Sequence, residues 1–195
     1  MLTIVWDVDD VLNDLMYQWF NHCWLPETPE CNITYTELRG NPPDATLGIS
    51  RDAYLNSLDA FRKTVRALNM EPNADMLGWF REHGARFRHI ALTARPLESA
   101  PEVAQWVIRH FGAWIRCVGV VPTRTTSGVP VYDRTKGEFL QWLRCGDVLV
   151  DDSLENVEQA QLLGIKTLLY PQPWNTSPLT ITTLLKELSD LAVFS

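Results

Sequence analysis

Two carboxylates separated by one residue, Asp7 and Asp9, close a β-branched and aromatic run in Thr3-Ile4-Val5-Trp6-Asp7-Val8-Asp9-Asp10-Val11-Leu12-Asn13. A strand buried on both faces cannot continue through unpaired carboxylates, so the strand ends at Asp7. If the chain stays extended through Val8, the Asp7 and Asp9 side chains leave the same face and converge beyond the strand. Carboxylates brought together repel and raise each other's pKa unless a cation lies between them, and an all-oxygen donor set suits a hard dication such as Mg²⁺. The same residues also suit a structural task, because Asp9 and Asp10 are good turn and helix-capping residues.

Three other places carry comparable chemistry. Thr93-Ala94-Arg95-Pro96 follows the apolar run Phe87-Arg88-His89-Ile90-Ala91-Leu92, Asp151-Asp152 follows Val148-Leu149-Val150, and Lys136 opens an amphipathic segment. Thr93 and the Asp151-Asp152 pair have a structural alternative as helix caps, and Lys136 as a solvated charge. Lys136 fits its alternative least well, since a cation at a helix N-terminus opposes the macrodipole.

The elements that must position these residues alternate. Apolar spacings of three and four predict helices at about 12–24, 50–69, a segment through Met76, Leu77, Trp79 and Phe80 ending at Gly84, then 100–111, 136–144, 154–163 and 180–191. Strands are predicted at 3–6, 87–92, 115–121, 148–150 and 166–170. Alternation of this kind specifies an α/β fold with a doubly wound parallel sheet, whose ligands bind at the carboxyl edge of the strands. Asp7, Asp9, Thr93, Lys136, Asp151 and Asp152 all fall at that edge. Lys166 starts its strand and falls at the opposite one. Residues 14–70, broken by Pro and Gly between its helices, read as a small helical cap inserted after the first strand, and residues 1–13 and 71–195 as the core domain.

The 195 residues allow one sizeable core with a small insertion, and 46% hydrophobic with 21% charged residues is an ordinary globular composition. A formal charge of -7 disfavours stable binding to a polynucleotide backbone but leaves room for a small anion held locally. Cys23, Cys31, Cys117 and Cys145 form no CxxC pair, and no leader or bilayer-length apolar run is evident. The expectation is a soluble, cytoplasmic protein with reduced thiols and no membrane partner.

With these residues in order, the sequence resembles the haloacid dehalogenase-like (HAD) hydrolase superfamily. Asp7-Val8-Asp9-Asp10-Val11 is similar to its DxD box, Thr93 to its second-strand hydroxyl, Lys136 to its lysine, with Arg134 a lesser candidate, and Asp151-Asp152 to its acidic pair. Asp10 stands where many members have Gly. Thr93-Ala94-Arg95-Pro96, Val148-Leu149-Val150-Asp151-Asp152 and Tyr170-Pro171-Gln172-Pro173-Trp174-Asn175 are similar to the 5'(3')-deoxyribonucleotidase-like group.

The resemblance implies a HAD-like Rossmannoid fold and a Mg²⁺-dependent phosphomonoesterase acting on a small phosphorylated metabolite, a nucleotide by the closer likeness. Asp7 would form an aspartyl-phosphate, and Asp9 would act as acid and base, a task that needs a raised pKa. Thr93, Ala94, Arg95 and Lys136 would bind the substrate, and Asp7, the Asp9 carbonyl and Asp152, with Asp151 nearby, the metal. Arg39, Arg51 and Arg95 could meet a second anionic group or be surface charges. Tyr17, Trp19, Phe20, Trp24, Tyr35 and Tyr54 could stack a base, although rings at helical spacing are more often core. Two alternatives stay open: a polynucleotide end phosphatase, and a regulatory protein that binds phosphate or a nucleotide without turnover.

Overall fold

The computed structural model describes residues 1–124 and 128–191. After β1 (Thr3–Trp6) come α1 (Leu15–Trp19), a π-helical turn at Phe20–Trp24, α2 (Leu25–Glu27), a 3₁₀ turn at Tyr35–Glu37, α3 (Asp44–Leu47), α4 (Arg51–Arg62) and α5 (Val65–Leu68). The chain then alternates: α6 (Ala74–His83), β2 (Arg88–Arg95), α7 (Ala100–Phe111), β3 (Ile115–Pro122), α8 (Lys136–Leu143), β4 (Val148–Asp151), α9 (Leu154–Leu162), β5 (Lys166–Leu169) and α10 (Ile181–Leu191).

All strand pairs are parallel, in the spatial order β3-β2-β1-β4-β5. The winding runs outward from β1 through β2 to β3, then returns to the other side of β1 for β4 and β5. The reversal lies between β1 and β4, where Trp6 is in register with Val150 and the Asp7 N–H donates to the Val150 carbonyl (2.9 Å). Asp7 and Asp151 thus end adjacent strands at the switch point, where doubly wound sheets bind ligands.

Strand alternation sorts the core into two faces. Ile4 and Trp6 are buried with Phe80 of α6, Val107 of α7 and Leu184 of α10, whereas Val5 packs on the other face with Leu140 of α8 and Ala160 of α9. Gly137 lets α8 and α9 approach, since a Cβ there would stand 2.8 Å from Gln159 Oε1. A separate apolar cluster, including Met16, Trp19, Phe20, Tyr54, Leu58 and Phe61, gathers within residues 15–70. Among the described residues no helix is long and apolar enough to cross a membrane.

Three elements differ from the sequence expectation. The first helix starts at Leu15 rather than near residue 12, because Asp10, left-handed at φ +63°, opens a turn in which the Leu12 and Asn13 N–H groups both donate back to the Val8 carbonyl. It then passes through the π-helical turn and ends beyond Pro26, which occupies a first-turn position where its missing N–H costs nothing. The expected 50–69 helix divides at Lys63-Thr64, where Thr64 Oγ1 accepts from Ala67 N–H and caps α5. Strand β2 runs on to Arg95, so Thr93 is a strand residue in register with Val120 and not a helix cap. The Thr-, Gly- and Pro-rich stretch 122–135, which its composition predicts to be a loop, falls partly outside the described residues.

Candidate active site

Asp7 is the first residue past β1, and its carboxylate meets a lysine delivered from the start of α8. Thr135 caps that helix, its side chain accepting from Glu138 N–H, which sets Lys136 at the first helical position. Lys136 Nζ lies 2.8 Å from Asp7 Oδ1 and 2.7 Å from Asp151 Oδ2, and is 2% exposed. The two carboxylates outweigh both burial and the helix dipole, and keep the ammonium protonated with its pKa raised. Arg134, the lesser candidate, is exposed, and its backbone N–H donates to Glu138.

Asp7, Asp151 and Asp152 bring carboxylate oxygens within 4.8 Å of one another, all three buried. Burial pushes Asp7 well above the usual carboxylate range against the pull of Lys136, and the charges of Asp151 and Asp152 push it further. Burial and Asp151 likewise raise Asp152 to about 6. One lysine does not neutralise three carboxylates.

The donors sort these three carboxylates by role. Asp151 is spoken for: Oδ2 takes Lys136, while Oδ1 accepts from Ser153 N–H (2.9 Å) and Asn156 Nδ2 (3.0 Å). Asp152 Oδ2 accepts from Trp174 Nε1 (2.8 Å) and Asn41 Nδ2 (3.2 Å), and its carboxyl is close enough to Asp7 to share a hydrogen bond. Asp7 and Asp152 therefore have oxygens left to share, and a compact all-oxygen set of this charge fits Mg²⁺. Asp151 holds Lys136.

Thr93, 1% exposed at the edge of β2, has a buried Oγ1 without a hydrogen-bond partner among the described residues. An orphaned buried hydroxyl usually signals a ligand atom or water. It lines, with Asp7, Ala94, Lys136 and Asp152, a crevice of about 230 Å³ closed from the other side by Met16, Tyr54 and Leu58.

Asp9 stands apart from this group. Arg95 grips its carboxylate with both Nε (to Oδ2, 2.7 Å) and a terminal nitrogen (to Oδ1); Arg62 of α4 adds a bond to Oδ2 (3.1 Å) and Asn13 Nδ2 one to Oδ1 (3.2 Å). Burial alone would raise its pKa, but the Arg95 and Arg62 charges hold Asp9 well below the usual range. The expectation of a raised Asp9 is thereby corrected: two cations from distant segments reverse the sign. Asp10 takes the structural task, its Oδ1 accepting from Met16 N–H in the first turn of α1 (2.8 Å).

Several residues at the site carried little signal in the sequence. Arg62 and Asn41 come from the 14–70 segment, where one reads as a polar helix position and the other as part of a Gly/Pro-broken stretch. Trp174 braces Asp152, Asn175 Nδ2 donates to the Asp152 carbonyl (2.8 Å), and Gln172 Nε2 to the Asp10 carbonyl (2.6 Å). Arg39 donates to the carbonyls of Thr36, Leu38 and Pro173, so it fastens loops, while Arg51 lines the crevice. Of the six rings considered for base stacking only Tyr54 is part of the crevice wall; Trp19 and Phe20 are fully buried in the second apolar cluster.

No family model matches the sequence, and no curated protein sequence matches it either. Solved structures do. A haloacid dehalogenase-like family hydrolase of Streptococcus pneumoniae superposes with a TM-score of 0.64 at 15% identity, covering 100% of this chain and 99% of that one. A HAD-superfamily hydrolase of subfamily IA from Geobacter sulfurreducens gives 0.54 at 13% identity, covering 98% and 99%. A proposed HAD-hydrolase of Bacillus subtilis, described bound to magnesium and undergoing interdomain movement, gives 0.55 at 16% identity, covering 98% of each chain. The structural neighbours are thus HAD-superfamily hydrolases, and at these identities the likeness carries the fold.

Proposed function

We propose that this protein is a Mg²⁺-dependent phosphomonoesterase that acts on a compact phosphorylated metabolite through an aspartyl-phosphate at Asp7. The observation that carries the reading is the meeting of Asp7, Lys136, Asp152 and the unpartnered Thr93 hydroxyl in one crevice at the sheet's switch point.

In this reading Thr93 Oγ1 donates to a phosphoryl oxygen, and Lys136 offsets the negative charge of the Asp7 carboxylate and of the group transferred. Mg²⁺ at Asp7 and Asp152 would screen the nucleophile from the phosphate. An Asp7 oxygen attacks phosphorus, the P–O bond to the leaving group breaks, and the departing alkoxide takes a proton. Water then attacks the phosphorus of the aspartyl-phosphate, releasing inorganic phosphate and restoring the Asp7 carboxylate. Asp9 is placed by the resemblance to give and take the proton. Held ionised by Arg62 and Arg95 it cannot give one, so this role belongs to a state in which the arginines have another partner.

Within this class we place a nucleoside monophosphate below a compact ester. The nucleotidase likeness rests on short sequence runs, while the crevice of about 230 Å³ is below the roughly 300 Å³ at which ligand pockets for larger molecules begin, and Tyr54 is the one ring lining it among the described residues. The test is a panel of sugar phosphates, phosphorylated acids, nucleoside monophosphates and oligonucleotide ends, assayed for phosphate release with Mg²⁺ and with chelator. Release from compact esters, abolished by chelation and by Asp7→Asn, is the expected result. Undiminished turnover in folded Asp7→Asn contradicts the assignment.

A further inference from the structure

We propose that Arg62 and Arg95 form a second anion subsite, and that the substrate is a phosphomonoester whose compact leaving group carries another anionic group, a carboxylate or a second phosphate. The inference rests on the phosphate position assigned above, at Thr93 and Lys136.

Both guanidinium groups are more than nine-tenths buried, Arg62 arriving from α4 and Arg95 from the end of β2. Burying two arginines side by side is costly unless anions neutralise them. The anions present do not use every donor. Arg62 and Arg95 share Asp9, and Arg62 shares Asp59 with the exposed Arg124. Arg62 retains a buried Nε with no hydrogen-bond partner among the described residues, although one terminal nitrogen reaches Asp9 and the other Asp59. An unspent buried donor on a cation is what an incoming anion would satisfy.

The location suits a substrate. Arg62 lines the crevice that holds Asp7 and Thr93, and also borders a larger groove of about 690 Å³ between α4 and the Pro96–Ser99 turn. An anion on the leaving group would meet Arg62 and Arg95 while the phosphoryl group lay at Thr93. Asp9 holds that position between the two arginines, as a built-in carboxylate keeping the place of the substrate's own. When the substrate's anion takes the arginines, the Asp9 carboxylate is released beside the leaving oxygen, where it takes up a proton from solvent and passes it to the departing alkoxide. Recognition of the correct leaving group and delivery of the proton-transfer residue then become one event.

The experiment compares two non-hydrolysable, near-isosteric ligands in which a carboxylate is replaced by a neutral amide, 3-phosphonopropionate and 3-phosphonopropanamide, by calorimetric titration of the full chain with Mg²⁺ present. The acid is expected to bind wild type about tenfold or more tightly than the amide, the size of a charge-assisted hydrogen-bond pair. Arg62→Gln should reduce that ratio to about threefold or less, and Arg62→Lys, which keeps the charge but loses the fork, should fall between. If Arg62→Gln does not fold, the wild-type ratio and Arg62→Lys decide.

Equal affinity of acid and amide for wild type overturns the subsite and leaves the phosphatase reading standing. A full acid preference in folded Arg62→Gln overturns the part given to Arg62. Binding of neither ligand overturns both readings. Acid preference without hydrolysis of any ester upholds the subsite and removes the hydrolase.

Discussion

Around Asp7, three carboxylates share one lysine, whereas two residues further along the same loop the Asp9 carboxylate is shared by two arginines. Asp7 is buried and Asp9 largely so, both beside the same crevice, and burial pushes both pKa values upward. Their neighbours decide the outcome: Asp7 and Asp152 end above the ordinary carboxylate range, and Asp9 ends far below it. One side of the crevice is short of positive charge, and the other holds two buried guanidinium groups with an unspent donor. A dication would answer the first and, in the subsite proposed above, a substrate anion the second.

The comparison breaks most visibly at Lys136. Lys136→Met strips the acidic half of its one cation and leaves Asp7 and Asp151 buried without it, so metal-free protein should lose about 3–5 kcal/mol in urea unfolding. A loss below about 1 kcal/mol, on the scale of exposed pairs, would mean that the lysine is not the group balancing these carboxylates.

Metal should act on the acidic half alone. At saturating Mg²⁺, about a hundred times Kd, wild type should gain about 2.7 kcal/mol, or about 5–10 °C in Tm for a chain of this size. Asp152→Asn should largely abolish that gain. Asp152→Asn should also remove a fall in the stability of the metal-free protein as pH rises from the ordinary carboxylate range to about 6. A folded-state pKa of about 6 lies above the unfolded value, so the native state binds the extra proton and stability falls as pH rises towards 6. Asp9 has the opposite sign: its lowered pKa contributes stability at neutral pH that is lost on acidification.

On the arginine half, Arg95→Gln removes the two-pronged partner of Asp9 and should cost about 2 kcal/mol in the same unfolding measurement, with the gain from Mg²⁺ retained. Loss of the Mg²⁺ effect in that variant would show the halves to be one network. The smallest change is expected for Thr93→Val. Its hydroxyl has no hydrogen-bond partner among the described residues, so stability should stay within about 1 kcal/mol while affinity for inorganic phosphate falls.

Much of this arrangement is legible in the sequence where local chemistry and topology agree. β1 and β4 are apolar runs that stop at aspartates, their parallel pairing follows from alternation with helices, and Lys136 stands out because it opposes its own helix dipole. Legibility fails where the decisive partner is remote. Arg62 is one more polar position on an amphipathic helix until α4 folds over Asp9, 53 residues away, and Trp174 is a short motif until its indole meets Asp152. The rings offered for base stacking fail for the same reason: periodicity places Trp19 and Phe20 on a helix face, and the fold spends that face on the apolar cluster of residues 15–70.

The central claim is that Asp7 attacks phosphorus, and trapping the covalent intermediate tests it most directly. Wild-type protein turning over a compact phosphomonoester with Mg²⁺ is quenched with borohydride, which reduces an acyl phosphate to the alcohol, and the peptides are then sequenced by mass spectrometry. Homoserine at position 7, dependent on substrate, is the predicted result. Continued turnover with Asp7 unmodified, or reduction at another carboxylate instead, would contradict the account.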